Sequence, residues 1–547
     1  MNAKWNIIAL LALLPVVSAC GAAAPSTAPV VAEKATSDWN SSGPVAVAPT
    51  IAAAKPMEPQ AYATSLPAAT AVGSYPREES GPAYEPPAPT PTPLPREEGA
   101  YPPNVNPFVY TSVDHLSTFA LDVDTASYTR ARDALLSGRL PDPSSVRVEE
   151  FVNYFKQDYP TPPSVAFAVY ADGASSPFHY DQSALLRIGV QGYTVPDEER
   201  KPLSLTFVID SSGSMGDEGK LEMVKQALAL LVDRLRPSDT VAIVAYSTNA
   251  WTVLEPTNGV YHQQILNAIN RLYPMQTTNV EDGLRLGYSL ASAAFRPDAS
   301  NRVILCSDGV ANVGATDAQS ILEFVRGYTD RGITLTTIGV GLGEYNDVLL
   351  EQLADNGDGN YAYIDTIEQA RRVLVDGLVS TLQVIALNAK IQLDFNPDVV
   401  ECFRLIGYEN RAVADQDFRN DAVDAGEIGA GHSATAVYAV LFRPEATGRI
   451  ATIQLRWEDP ESRGVQEING NFNTWDLAPS YDAAAARYRL TVVAAQFAEI
   501  LRGSPWAQPG QLWALSQQAY QLTESLPGDP DVIELAQLID RAERLMR

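Results

Sequence analysis

Three short oxygen-bearing side chains, Asp210, Ser212 and Ser214, follow one another at every second position, directly after the uncharged run from Leu205 to Ile209. One carboxylate and two hydroxyls from a single turn are the hard oxygen donors that Mg2+ takes, usually with few carboxylates and with waters kept. Mn2+ or Ca2+ takes a similar oxygen set. Further oxygens have to come from neighbouring strand ends. Two stretches offer them: Thr277-Thr278-Asn279 ahead of a helical pattern, and Ser307-Asp308-Gly309 after the apolar run from Arg302 to Cys306.

Other chemistries compete for the same turn. A phosphate-binding loop needs G-x-x-x-x-G-K-[ST]. Gly213 and Gly219-Lys220 are one residue too far apart and Leu221 replaces the hydroxyl, which excludes it. A phosphoaspartate nucleophile needs a second carboxylate where Ser212 stands. A serine-hydrolase elbow needs G-x-S-x-G, and Ser212-Gly213-Ser214-Met215-Gly216 lacks the first glycine. Ser214, Asp308 and His432 nonetheless follow in hydrolase chain order, and a triad is recognised by geometry. A hydrolase using Ser214 stays open as an alternative.

The elements around these residues alternate strand and helix from about residue 201, which predicts a doubly wound α/β fold with a parallel sheet. Strands are expected at 205–209, 240–246, 303–306, 334–339 and 361–364, with 251–254 as a short antiparallel edge. Helices are expected at 220–235, 262–272, 281–295, 317–331, 347–355 and 366–382. In such sheets ligands bind at the carboxyl ends of the strands, where Asp210 and Asp308 fall. Before this domain, 119–123, 164–170 and 185–190 read as strands. Helices are expected at 125–136, capped by Asp124 and closed by Gly138, and at 147–155. After it, 390–395, 435–441 and 452–457 alternate as antiparallel strands do. The flanking strands are expected to pair into a β-sandwich that the α/β domain interrupts, with a C-terminal helical region beyond.

The division expected is 1–20 a lipoprotein signal peptide, 21–104 a linker, 105–200 an α+β region, 201–383 the α/β domain, 384–475 a β-rich domain and 476–547 helical. The first segment has Lys4, an apolar core too short to span a bilayer, and Val17-Ser18-Ala19-Cys20. Small residues before a cysteine resemble the bacterial lipobox, in which Cys20 becomes the lipidated N-terminus. This places the chain outside the cytoplasm, anchored to a membrane whose identity, inner or outer, stays open. The Pro/Ala-rich linker has no apolar periodicity and is expected to be disordered. It would reach roughly 250 Å extended or about 50 Å as a coil. The formal net charge of −27 excludes a nucleic-acid partner, which such a surface repels. Cys306 and Cys402 are too few for a disulfide framework, and Cys306 reads as a small buried hydrophobe.

D-x-S-x-S, a threonine before a helix, and S/T-D-G after a strand together resemble the metal-ion-dependent adhesion site (MIDAS) of von Willebrand factor type A domains. The match falls on Asp210, Ser212, Ser214, Thr278 and Asp308, with Thr277 the neighbouring alternative. The stretches 121–128, 146–155, 360–365 and 404–411 extend the resemblance, to the YfbK-type von Willebrand lipoproteins of bacteria, over everything from about 107 onward. The resemblance implies a Rossmann-like domain holding Mg2+ through those five residues. The ion would keep one position for an Asp or Glu carboxylate of a partner protein, and the chain would not be an enzyme. A third possibility is a structural envelope protein whose metal only stabilises the fold. Other clusters have plainer readings. Asp355 to Asn360 fails the EF-hand spacing and reads as a helix-to-strand turn. Asp415, Asp417, Asp421, Asp424 and Glu427 read as a solvated acidic loop, with a second cation site as the alternative. Asp122 and Asp124 read as a strand end and a helix cap.

Overall fold

In the computed structural model, Leu203–Asp210 is a strand buried along its whole length. It is central in a six-stranded sheet because both faces are covered by helices, which explains its uninterrupted apolar run. The structure describes residues 45–46 and 105–547, except 122, 164, 179–182, 310–317, 342–346, 378–382, 422 and 424. The signal segment with Cys20, the linker apart from Val45–Ala46, Asp122 and Asp424 lie outside the described residues; within the linker expected to be disordered, Val45–Ala46 is a short strand paired with Tyr170 and Ala171.

The order across this sheet is Tyr361–Ile364, Ile333–Val340, Ser300–Ser307, Leu203–Asp210, Thr240–Tyr246 and Ala250–Asn258. All neighbours are parallel except the last pair. The antiparallel edge is longer than the expected 251–254, since its pairing with Thr240–Tyr246 runs on to Asn258. The helices Lys220–Val232 and His262–Asn270 share one core with one sheet face, built around Phe207, Ile209, Ile304 and Cys306. Val280–Ala293 and Ala318–Thr329 share a second core on the other face, around Val208, Val303 and Leu305. The helix expected at 366–382 is short, Ile367–Arg371, and passes into a π-helical turn over Arg372–Asp376.

The flanking strands form two further sheets. One orders Val45–Ala46, Phe167–Ser175, Ala184–Gly192, Ser433–Phe442, Val400–Ile406 and Val109–Tyr110. In the other, Val384–Phe395 is bordered by Gly426–Gly429, Leu116–Ala120 and Arg449–Glu458, and Val465–Asn473 closes the edge. One apolar core lies between these sheets, with Phe119, Leu186, Ile188, Leu393, Tyr438 and Leu455 in it. Strands from before and after the α/β domain thus share a single sandwich, joined where Ser433–Phe442 pairs with Ala184–Gly192.

Three C-terminal helices, Ala486–Leu501, Leu512–Ser525 and Pro530–Leu545, pack with Ala126–Leu136 and Val148–Tyr154 over a third core. None of the described helices is long and apolar enough to cross a membrane. Two local expectations differ. Thr125, not Asp124, precedes the helix Ala126–Leu136, without a side-chain cap bond, and Asp124 faces Arg411 at 3.7 Å. The strand expected at 119–123 is Leu116–Ala120, because its partners run from Lys390 to Asp394.

Candidate metal centre

The turn after Asp210 is shaped by backbone contacts before any side chain matters. Ser211 N donates to Tyr246 O at 2.8 Å, and Met275 N donates to Ser211 O at 2.6 Å. The second contact needs Gly213, since a Cβ there would lie 3.0 Å from Met275 O. Glycine thereby lets the 275–278 segment close on the turn. That segment is also tied to the next strand end. Ser247 Oγ donates to Thr277 O at 2.7 Å, and Asn279 N donates to Ser247 O at 2.8 Å. Asn279 caps the helix Val280–Ala293, accepting from Asp282 N at 3.3 Å, a bond worth about 1 kcal/mol.

The five candidate ligands are all carried by this carboxyl edge. Asp210 is fully buried. Its Oδ1 accepts from Ser212 N at 2.8 Å, and its Oδ2 accepts from Ser307 Oγ at 2.8 Å and Tyr246 OH at 3.3 Å. Burial pushes its carboxyl up to about 6; the Ser212 and Ser307 donors oppose this and nearby Asp308 adds to it. Ser212 and Ser214 hydroxyls lie 3.0 Å apart. Thr278 is buried, whereas the half-buried Thr277 turns its hydroxyl to Thr248 at 2.5 Å. Asp308 follows the strand Ser300–Ser307 and is 4 % exposed. Its Oδ2 meets Lys220 Nζ at 3.2 Å, and its Oδ1 is buried with no hydrogen-bond partner among the described residues.

This donor set fits a hard divalent cation. An orphaned buried carboxylate oxygen costs free energy until something cationic meets it. Two carboxylates with hydroxyls beside them are oxygen donors of the type Mg2+ prefers. No three His, Cys, Asp or Glu side chains converge as metal ligands among the described residues, and the described members of the acidic loop form no such cluster. Its members are spread: Asp415 accepts from Thr118 at 2.5 Å and Asp421 pairs with Arg456 at 2.7 Å. The turn after Asp355 is held by packing. A Cβ on Gly359 would sit 2.0 Å from Leu335 O.

The roles of three residues at this edge do not follow from the sequence. Ser307 and Tyr246 orient Asp210, and Lys220 supplies an internal cation to Asp308. The Tyr246 contact follows from the parallel register Asp210 to Tyr246, which no local pattern reveals. Lys220 occupies charge that an ion would otherwise compensate. Lys220→Met is therefore expected to tighten Mg2+ binding roughly tenfold. Calorimetric titration checks this, and an unchanged or weaker affinity would mean that Lys220 does not compete with the ion.

The hydrolase alternative fails on geometry. His432 borders a cavity with Thr336, Asn360 and Tyr361, at the amino-terminal edge of the parallel strands. Ser214 lies at the carboxyl edge beside Ser212, so no His432–Ser214 hydrogen bond can form. Cys306 is a buried thiol pushed up to about 12 by desolvation, and neither it nor the buried Cys402 forms a disulfide among the described residues.

Three family models match: "von Willebrand factor" over residues 97–187, "von Willebrand factor type A domain" over 204–375, and "Uncharacterized protein YfbK, C-terminal" over 380–450. The chain is 34 % identical to YfbK of Escherichia coli over 443 residues, which is 76 % of each protein. The chain belongs to the YfbK family of von Willebrand type A proteins. A second relative, the uncharacterized protein sll0103 of Synechocystis, is 28 % identical over 284 residues, 51 % of this chain and 66 % of that one. A solved von Willebrand factor type A protein from Catenulispora acidiphila aligns with 70 % of this chain and 91 % of its own, at 17 % identity and a TM-score of 0.39. In YfbK-family terms, the carboxyl edge just described falls in the type A segment, and the sandwich strands from Val384–Phe395 to Ser433–Phe442 fall in the YfbK C-terminal segment.

Proposed function

We infer that this chain is an extracytoplasmic binding protein, anchored to a membrane by lipid at Cys20, that recruits a protein partner through a divalent cation. Von Willebrand type A domains mediate protein interactions. The observation that carries the reading is the carboxyl-edge cluster: buried Asp210, adjacent Ser212 and Ser214 hydroxyls, and an Asp308 oxygen without a partner among the described residues. Asp210, Ser212, Ser214, Thr278 and Asp308 would hold the ion, with Mg2+ the first choice and Mn2+ or Ca2+ as substitutes. When bound, the ion supplies positive charge to a chain of formal charge −27, and so attracts an Asp or Glu carboxylate that the bare surface would repel. The chain's own residues do the positioning. Ser307 and Tyr246 fix the Asp210 rotamer, and the Gly213 contact holds the threonine segment against the turn.

Pull-down from native envelope, with and without Mg2+, tests this reading. A partner is expected to be retained with Mg2+ and released by EDTA, with little change in melting temperature. If EDTA instead lowers the melting temperature and no partner depends on the ion, the site is a structural one.

A further inference from the structure

The buried arginines of this chain are generally met by carboxylates. Arg132 pairs with Asp365, Arg187 with Asp172 and Arg200 with Asp239, while Arg404 and Arg502 share Glu499. That is the expected arrangement, because an uncompensated charge in a low-dielectric interior is costly. Arg302 breaks it. Its residue exposure is 1 %, yet its side chain makes one hydrogen bond, from Nη1 to the Thr336 hydroxyl at 2.7 Å. Its Nε has no partner among the described residues. Glu427 and Asp358 act on it through space without forming an ion pair, and burial lowers the guanidinium to about 10.

Arg302 lies in the wall of a cavity of about 490 Å³, a volume in the usual range for small-molecule sites. The cavity sits at the amino-terminal edge of the parallel sheet, where Ser300 and Thr334 are near the starts of their strands and Tyr193 and Ile385 come from the sandwich side. Gln383 also lines it, and its side-chain amide N–H can donate to an anion. The two acids of the lining are already engaged. Glu461 pairs with Lys201 at 2.8 Å, and Asp459 accepts from Ser462 N and Oγ at 2.7 and 2.9 Å.

We propose that this cavity is a second ligand site, in which Arg302 and Gln383 receive the oxyanion, a carboxylate or a phosphate group, of a small molecule. A guanidinium presents a planar fork of donors that matches either anion, and Nε is one of those left unused. Val165, Ala166 and Ile385 in the lining suit a compact apolar body on the ligand. Arg302 is near one end of the Ser300–Ser307 strand and the metal centre is beyond the other. The sites are therefore separated by roughly 17 Å of strand, and each can be tested without the other.

Thermal unfolding of the protein in sodium phosphate or sodium benzoate, against sodium chloride at matched ionic strength, tests the site. The wild-type melting temperature is expected to rise saturably, by about 3 °C, with phosphate if the ligand is a phosphate and with benzoate if it is a carboxylate. Arg302→Met is expected to abolish the rise while melting no lower than wild type in chloride, because it replaces a buried charge that has no ion-pair partner among the described residues with an apolar chain. Val165→Trp, at a residue 42 % exposed, keeps Arg302 and is expected to lose the rise by filling the cavity. A marked drop in the melting temperature of Arg302→Met in chloride would show that the guanidinium holds the frame together, overturning the site. A rise that survives both substitutions, or no rise with either probe, would overturn it too.

Discussion

Asp210→Ala is expected to weaken Mg2+ binding roughly a hundredfold or more while leaving the fold intact. Loss of a group that merely orients a metal ligand already costs 10- to about 100-fold, and Asp210 stands at the centre of the donor set. Ser212 N, Ser307 Oγ and Tyr246 OH all point at its two oxygens. Removing the carboxylate leaves those donors without their acceptor and leaves Asp308 as the one acidic side chain of the candidate set. The fold is expected to survive, because the sheet around position 210 is held by the parallel ladders on both sides and by apolar neighbours such as Val208 and Ile209. Calorimetry with Mg2+ reads the affinity, and circular dichroism reads the fold. Retention of wild-type affinity would rule Asp210 out as a ligand.

Glu499→Gln is expected to destabilise the protein by roughly 3–5 kcal/mol, the range for breaking one partner out of a buried ion pair. Glu499 is 2 % exposed on the helix Ala486–Leu501. Its Oε2 meets Arg404 Nη2 at 2.8 Å and Ser504 Oγ at 3.0 Å, and its Oε1 meets Arg502. Desolvation would raise its carboxyl, but the two guanidiniums overcome that and hold it down at about 2. The folded-state value lies below the unfolded one, so the carboxylate's stabilisation is full above about pH 4.5 and is lost as the pH falls towards 2. Urea unfolding of wild type and variant at pH 7 and at successively lower pH checks both points. The gap between them is expected to be largest at pH 7 and to narrow below pH 4.5. Equal stability at pH 7 would show that the pair contributes nothing net. The location matters, because Arg404 is on a sandwich strand and Glu499 on a C-terminal helix. The pair is one of the clamps between those parts.

The α/β sheet was legible because strands buried on both faces leave uncharged runs, as Leu205 to Ile209 does, and because each run ends in polar residues at the ligand-binding edge. The strand ends were less legible. Leu116–Ala120 stops before Leu121, although Leu121 N still donates to Ala389 O at 3.0 Å, because the partner strand bulges beyond Lys390, where Asn388 takes a positive φ, and the alternation of the sequence runs on past that point. The Asp124 cap was misplaced for a similar reason: Asp and Thr are both good cap residues side by side, and backbone geometry selects Thr125. In the candidate centre, the side chains of one turn were legible from their spacing. The roles of Tyr246, Ser307 and Lys220 were not, since they arise from strand register and helix placement between residues 36 to 97 positions apart in the hydrogen bonds concerned. Arg302 gave no signal at all. An arginine at the start of an apolar run reads as a solvated strand end, and only its burial without a carboxylate sets it apart.

A divalent cation held at the carboxyl edge of the sheet would be visible in the anomalous difference map of a crystal soaked in Mn2+. The expected result is one strong peak bonded to the Ser212 and Ser214 hydroxyls, close to Asp210, Thr278 and Asp308. It should be absent from crystals of Asp210→Ala. A map with no peak there, or with Lys220 Nζ still on Asp308 and the metal elsewhere, would contradict the claim.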